Sequence, residues 1–403
     1  MIHVRKYGEI NSTGYFAIGD IYKGKDLATA LNKTTKDGGN ICLLQNNDLA
    51  RLVKALINDL KARCPVYRRE LVTVFGLQEG SKVMVINPDQ VIFVETGELT
   101  DIEETSFVCI GKRRQHMERS LKQPTSTLPL GLFFDTALCV LGRKTFGVAI
   151  LAWCAMYTLN IYGWILQHLR HFNLPMLFGE PMVGKSLIAS CAAWLNGCPK
   201  TAIVSRATLP YVTSMVTTST LPFVWDDPST SEEVSQLAID LGNEAVRGKI
   251  FSETLTPKTG CLVTANFDMS DMLKYFSRLV VLYVEKSTKT KVGGDAMVLE
   301  EHAKAASAAL PMVMQVLTTK LDIEDVHNEC RRLKVMLPVE MRILEGIALN
   351  VYVTRQILNL AGRYGYMKLV NEYVHETMIP YYKRQLSSCH TTERAKCTSP
   401  NKQ

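Results

Sequence analysis

FGEPMVGKSLIAS, residues 178–190, sets Gly179, four further residues, then Gly184, Lys185 and Ser186 at the head of an Ala/Leu-rich run. The spacing satisfies G-x-x-x-x-G-K-[ST] in full. Glycines at both ends let backbone N–H groups turn inward on phosphate oxygens, and a helix starting at the lysine adds partial positive charge. An ordinary glycine turn would share the glycines without the flanking elements. Here NLPMLF (173–178) reads as a short apolar strand, and KSLIASCAAWLNG (185–197) as a helix stopped by Gly197. The expected nucleotide-binding residues are Gly179, Glu180, Pro181, Met182, Val183, Gly184, Lys185, Ser186 and Leu187. In that reading Lys185 reaches the β- and γ-phosphates of ATP, and Ser186 ligates Mg2+.

Such a loop needs an acidic partner for the metal at the end of a neighbouring strand. About forty residues on, TLPFVWDDPST carries an apolar strand over 221–225 that ends in Asp226 and Asp227. Asp226 is expected to hold Mg2+, directly or through water, and Asp227 to polarise the attacking water. The bland alternative is a strand-terminal Asp-Pro turn. Another forty residues on, GCLVTANFDMS gives a third strand over 262–265 ending in Asn266, whose carboxamide suits the γ-phosphate or the lytic water. KYFSRLVVLYVEK then sets Arg278 ahead of a fourth apolar strand, where it is expected to reach a neighbour's nucleotide; alone, it would read as a surface ion-pair residue.

This ordered set resembles the superfamily 3 helicases of small DNA viruses, the papillomavirus type in particular, a branch of the AAA+-like P-loop ATPases. The matching elements are the paired Asp226-Asp227, Thr264-Ala265-Asn266 followed by Asp268, and Ser277-Arg278 before an aliphatic strand. The likeness covers residues 174–284, and a helicase-like domain of phage and bacterial proteins shares a similar layout. The resemblance implies a homo-oligomer, a hexameric ring with ATP between subunits, Arg278 acting in trans, and central loops gripping single-stranded DNA. One departure stands out. The viral hairpin tip carries Lys-His, whereas RGKIFSETLTPKTG (247–260) is short and lacks that pair, leaving Lys249 and Lys258 as the candidate nucleic-acid contacts against a solvated-turn reading.

The remaining chain sets the frame. Its 403 residues allow two or three domains, and 47% hydrophobic with 21% charged composition is that of a globular protein. Residues 1–110 read as a mixed α/β region with strands in LVTVFGL, KVMVINP and QVIFVETG and a helix over 48–64. A basic linker is expected over 111–129, the ATPase core over 130–285, a helical region over 286–386 and a polar tail over 387–403. The fold class expected is α/β, a P-loop NTPase with a parallel sheet flanked by helices, an N-terminal α+β region and a C-terminal helical region.

A net charge of +7 permits a polyanionic partner without requiring one. Eleven cysteines without a C-x-x-C pair read as reduced thiols in an intracellular protein. Residues 145–169 lack Asp, Glu, Lys and Arg and are long enough to cross a bilayer, yet Thr158, Asn160, Gly163 and Gln167 interrupt them. A buried helix or helix pair is favoured over a membrane span. The leading function is a DNA helicase or translocase powered by ATP hydrolysis, of viral, phage or mobile-element origin; the alternative is an ATP-dependent assembly switch or scaffold that moves no nucleic acid.

Overall fold

The computed structural model describes residues 2–6, 9–14, 51, 54–55, 70–72, 74–78, 82–109, 118–242, 256–269, 273–286 and 293–387. The chain falls into two units, Met1–Thr73 with Thr105–Lys112, and Val74–Glu104 with Arg113–Gln403. In the first, β1 (Ile2–Lys6) and β2 (Glu9–Gly14) form an antiparallel hairpin whose register shifts between Val4 and Arg5. Within the same unit β3 (Glu70–Val72) pairs in parallel with a later strand, Phe107–Cys109. Of the helix expected over 48–64, only Arg51, Lys54 and Ala55 are described, and they are helical.

The second unit opens with an antiparallel meander of β4 (Gly76–Leu77), β5 (Val83–Val85), β6 (Gln90–Phe93) and β7 (Glu98–Asp101). Phe107–Cys109 of the first unit is β8. Then α1 (Leu128–Thr158), broken at Gly142, and α2 (Tyr162–Leu169) carry the apolar run. Every residue from 145 to 162 is buried. By length and composition, Leu128–Leu169 is the one stretch among the described residues that could cross a membrane. Its burial follows from packing all round, because α1 lies against the first helix after the glycine loop, against four C-terminal helices and against the sheet.

The sheet that positions the site follows. Its strands are β9 (Leu174–Phe178), β10 (Ile203–Ser205), β11 (Phe223–Asp226), β12 (Cys261–Ala265) and β13 (Leu279–Tyr283), all parallel, in the order β10-β11-β12-β9-β13. Parallel strands need crossovers, supplied in part by α3 (Lys185–Leu195), α4 (Leu209–Thr218) and α5 (Ser231–Gly242). Covered on both faces, the strands read as continuous apolar runs such as LPMLF and LVVLY, not as alternating ones. The first strand of the series ends up inside the sheet, between β12 and β13. From it the chain leaves for the far edge, and later passes over it to β13. That reversal opens a crevice at the strands' C-terminal ends.

The C-terminal region adds α6 (Gly293–Ala306), α7 (Leu310–Thr319), α8 (Ile323–Met336), α9 (Met341–Leu360) and α10 (Met367–Tyr373), continued as helix to residue 387. The Asp322 side chain accepts from Glu324 N at 2.8 Å and caps α8. Gln315 and Thr318 of α7 donate to Glu95 O and Val94 O at 2.8 and 3.2 Å, tying the meander to this region. At the outer edge of β13 the Tyr382 hydroxyl accepts from Val281 N at 2.8 Å and donates to Leu279 O at 3.4 Å.

Candidate active site

β9 ends at Phe178 and the chain enters a tight loop before α3. Two glycines are required by geometry. Gly184 takes φ 95°, a left-handed conformation that side chains disfavour, as it hands the chain to the helix. At Gly179 an added Cβ would stand 2.5 Å from Val284 O, so only glycine lets the loop pass the strand beside it. Met182, at the tip with φ 65°, is fully exposed.

Lys185 is the first residue of α3 and is buried, 7% exposed. Its Nζ donates to Gly179 O at 2.8 Å and Glu180 O at 2.7 Å, so the ammonium closes the loop on itself. Burial pushes its pKa below the ordinary lysine value, and the charges of Asp227 and Asp226 partly oppose the shift.

The carboxylates arrive from the next strand but one. Asp226 ends β11, and its Oδ1 accepts from Ser186 Oγ at 3.2 Å and Thr264 Oγ1 at 2.6 Å. Two cis ligands of an octahedral Mg2+ with 2.0–2.1 Å bonds stand about 2.9 Å apart, so the Ser186–Asp226 pair fits a cation after a shift of a few tenths of an ångström. Magnesium keeps waters and phosphate oxygens as its other ligands, so a single serine–carboxylate pair suits it.

Asp227 is turned off the strand line by a left-handed φ of 54°. Its N–H donates to Thr264 O at 3.2 Å and Thr264 Oγ1 at 3.1 Å, and its Oδ1 accepts from Asn266 Nδ2 at 3.0 Å. The carboxylate therefore faces solvent with its orientation held from β12. Asn266 sits where the third strand ends, and its amide is engaged with Asp227.

Lys185, Ser186, Asp226, Asp227 and Asn266 thus converge at the C-terminal ends of β9, β11 and β12. Thr264, one strand position pair before Asn266 on the same face, is the residue that joins the two carboxylates. Sequence reasoning placed Thr264 in a motif without giving it a role. Its i, i+2 spacing from Asn266 was the available signal.

Arg278, Lys258 and Asp268 lie elsewhere. Arg278 precedes β13, whose Leu279 pairs with Leu174 and whose Tyr283 pairs with Phe178. Five residues of strand, about 16 Å at 3.3 Å each, separate its level from Gly179, so it stands at the opposite end of the sheet from Lys185. Lys258, half-buried ahead of β12, donates its backbone N–H to Val216 O at 2.7 Å, also at the strand-start end. Lys249 lies outside the described residues. Asp268 accepts from Tyr381 Oη at 3.2 Å and Gln385 Nε2 at 3.1 Å, on the C-terminal helix.

No family model matches the chain, and no curated protein matches it. Among solved structures, the active helicase Cch of SCCmec type IV aligns over 91% of this chain and 68% of that chain, with TM-score 0.61 and 14% identity. That likeness shows a shared helicase-like α/β fold. The NrS-1 C-terminal region aligns over 79% of this chain and 84% of that chain at TM-score 0.31 and 11% identity. JCV helicase aligns over 58% and 74% at TM-score 0.23 and 13% identity. Scores this low add nothing to the fold assignment.

Proposed function

We propose that the chain is a P-loop ATPase of the superfamily 3-like, AAA+-like type, acting as a helicase or translocase on single-stranded DNA as a ring of copies. The observation that carries this reading is the convergence of Lys185, Ser186, Asp226, Asp227 and Asn266 on one edge of a parallel sheet. The backbone N–H groups of residues 179–187 cradle the phosphates, and Lys185 exchanges its two carbonyl partners for phosphate oxygens. Ser186 and Asp226 hold Mg2+, which neutralises phosphate charge when bound. Asp227, oriented by Asn266 and by Thr264, accepts a proton from the attacking water. Arg278, too far from its own loop, serves the neighbour's nucleotide in a head-to-tail ring.

The test is Mg2+-dependent ATP hydrolysis with and without single-stranded DNA at two salt concentrations. Lys185→Ala should lose hydrolysis by at least 100-fold, because the charge-assisted contact to the transferring phosphate disappears. Unchanged turnover in that variant would remove the assignment. DNA stimulation that declines with salt marks a translocase. Hydrolysis indifferent to DNA marks an assembly switch instead.

A further inference from the structure

The strand-start edge of the sheet carries a second guanidinium beside Arg278. Arg342 lies in the first turn of α9, and the two side chains meet at Gly242, the last residue of α5. Arg342 Nη2 donates to Gly242 O at 2.9 Å. A Cβ placed on Gly242 would stand 2.6 Å from Arg342 Nη2 and 3.6 Å from Arg278 Cγ. Both arginines are half-buried.

This placement is costly for a purely structural arginine. A cation in the first turn of a helix opposes the macrodipole. A second cation beside it adds repulsion in a partly desolvated site. Burial first, then the Arg278 charge, lowers the Arg342 pKa, and Glu340 only partly offsets them. Arg342 Nε is buried without a hydrogen-bond partner. Nearby, Glu345 Oε2 stands 3.5 Å from His171 Nε2. A multiply charged anion would relieve the repulsion and give Arg342 Nε an acceptor.

The other end of the sheet supplies the complement. Asp226 and Asp227 stand at the strand-end edge, where Glu180 is paired with Lys286 at 3.5 Å, and a bound triphosphate adds negative charge there. A heterologous contact between copies brings one copy's strand-start edge to the next copy's strand-end edge. We infer that Arg342 acts together with Arg278 on the triphosphate held by the adjacent copy of this chain. The inference rests on the ATPase reading above. Two planar guanidinium forks grip equatorial phosphate oxygens better than a single one, and both reach them from the side opposite Lys185.

The experiment uses full-length oligomers co-purified through two different tags. Arg342→Ala alone should lower kcat on the order of 100- to 1,000-fold, as loss of one preorganised donor does. Mixed equally with Lys185→Ala, it should recover to about one quarter of the wild-type rate, the share of interfaces that pair an intact loop with an intact Arg342. A purely structural defect within the mutant subunit would not be rescued by its neighbour. Should Arg342→Ala fail to fold, Arg342→Lys, which keeps charge and bulk, enters the same scheme.

Arg278→Ala mixed with Lys185→Ala is the control for the reading itself. If that pair recovers and the Arg342 pair does not, the inference falls while the ATPase reading stands. If neither recovers, the ring reading fails and the inference with it. A wild-type rate in Arg342→Ala overturns it, as does loss confined to DNA stimulation, which would assign the group to nucleic acid.

Discussion

Lys185 holds two of its own loop's carbonyls, and that arrangement sets a proton balance. Burial lowers its pKa below the ordinary 10.5, so free protein sheds this proton earlier on the alkaline side than an exposed lysine does. Phosphate anions favour the ammonium form and raise the pKa again. Between the lowered value and 10.5, nucleotide binding should therefore take up protons and weaken as pH rises. Calorimetry in two buffers of different ionisation enthalpy checks the uptake. At the neighbouring position, Asp227→Asn should keep nucleotide affinity within a few-fold and slow hydrolysis by roughly 100- to 10,000-fold, the range of a lost general base. Binding and single-turnover rates measured side by side decide it. The clustering of Lys185, Ser186 and the two aspartates was legible because the motif fixes residue types and spacings at strand ends. Thr264 was signalled only by its i, i+2 spacing from Asn266, and Arg342 by nothing, because a helix-start arginine has no spacing rule; the contacts of both depend on which strands and helices meet in space.

At the level of elements, the three core strands whose limits were named from apolar runs stand near those limits: 173–178 became Leu174–Phe178, 262–265 became Cys261–Ala265, and 221–225 shifted to Phe223–Asp226. Runs apolar on both faces end sharply at Gly, Asp and Asn, which makes such strands readable. The long apolar run needed tertiary context, since length and composition alone suit a core helix and a membrane span equally. Within α1, Trp153 donates its Nε1–H to Ile188 O at 2.9 Å, fastening the helix that starts at Lys185 to the core. Trp153→Phe removes that bond and leaves a partly filled cavity. It should destabilise the protein by about 1–3 kcal/mol. A thermal melt gives the loss, and a raised KM for ATP with a near-normal kcat would show that the anchor acts on loop placement. β4, β5 and β6 lie within runs read as strands and β7 does not, while the meander's attachment to α7 through Gln315 and Thr318 depends on partners over two hundred residues away, which no local pattern encodes.

Taken as a whole, the second unit sorts its side chains by direction: the glycine loop, lysine and carboxylates at the strand ends, arginines at the strand starts. A parallel sheet enforces this polarity, since every strand runs the same way. Association can then occur along that axis, end to start. The flank of β13 is treated differently, because Tyr382 occupies Val281 N–H and Leu279 C=O there. Tyr382→Phe leaves this buried amide without an acceptor and should cost about 1–3 kcal/mol, measurable by chemical denaturation. Its second effect should appear in light scattering, as slow growth of large particles on incubation. A lone phenol oxygen thus works as a doorstop: it keeps a foreign chain from zipping onto this flank of the sheet.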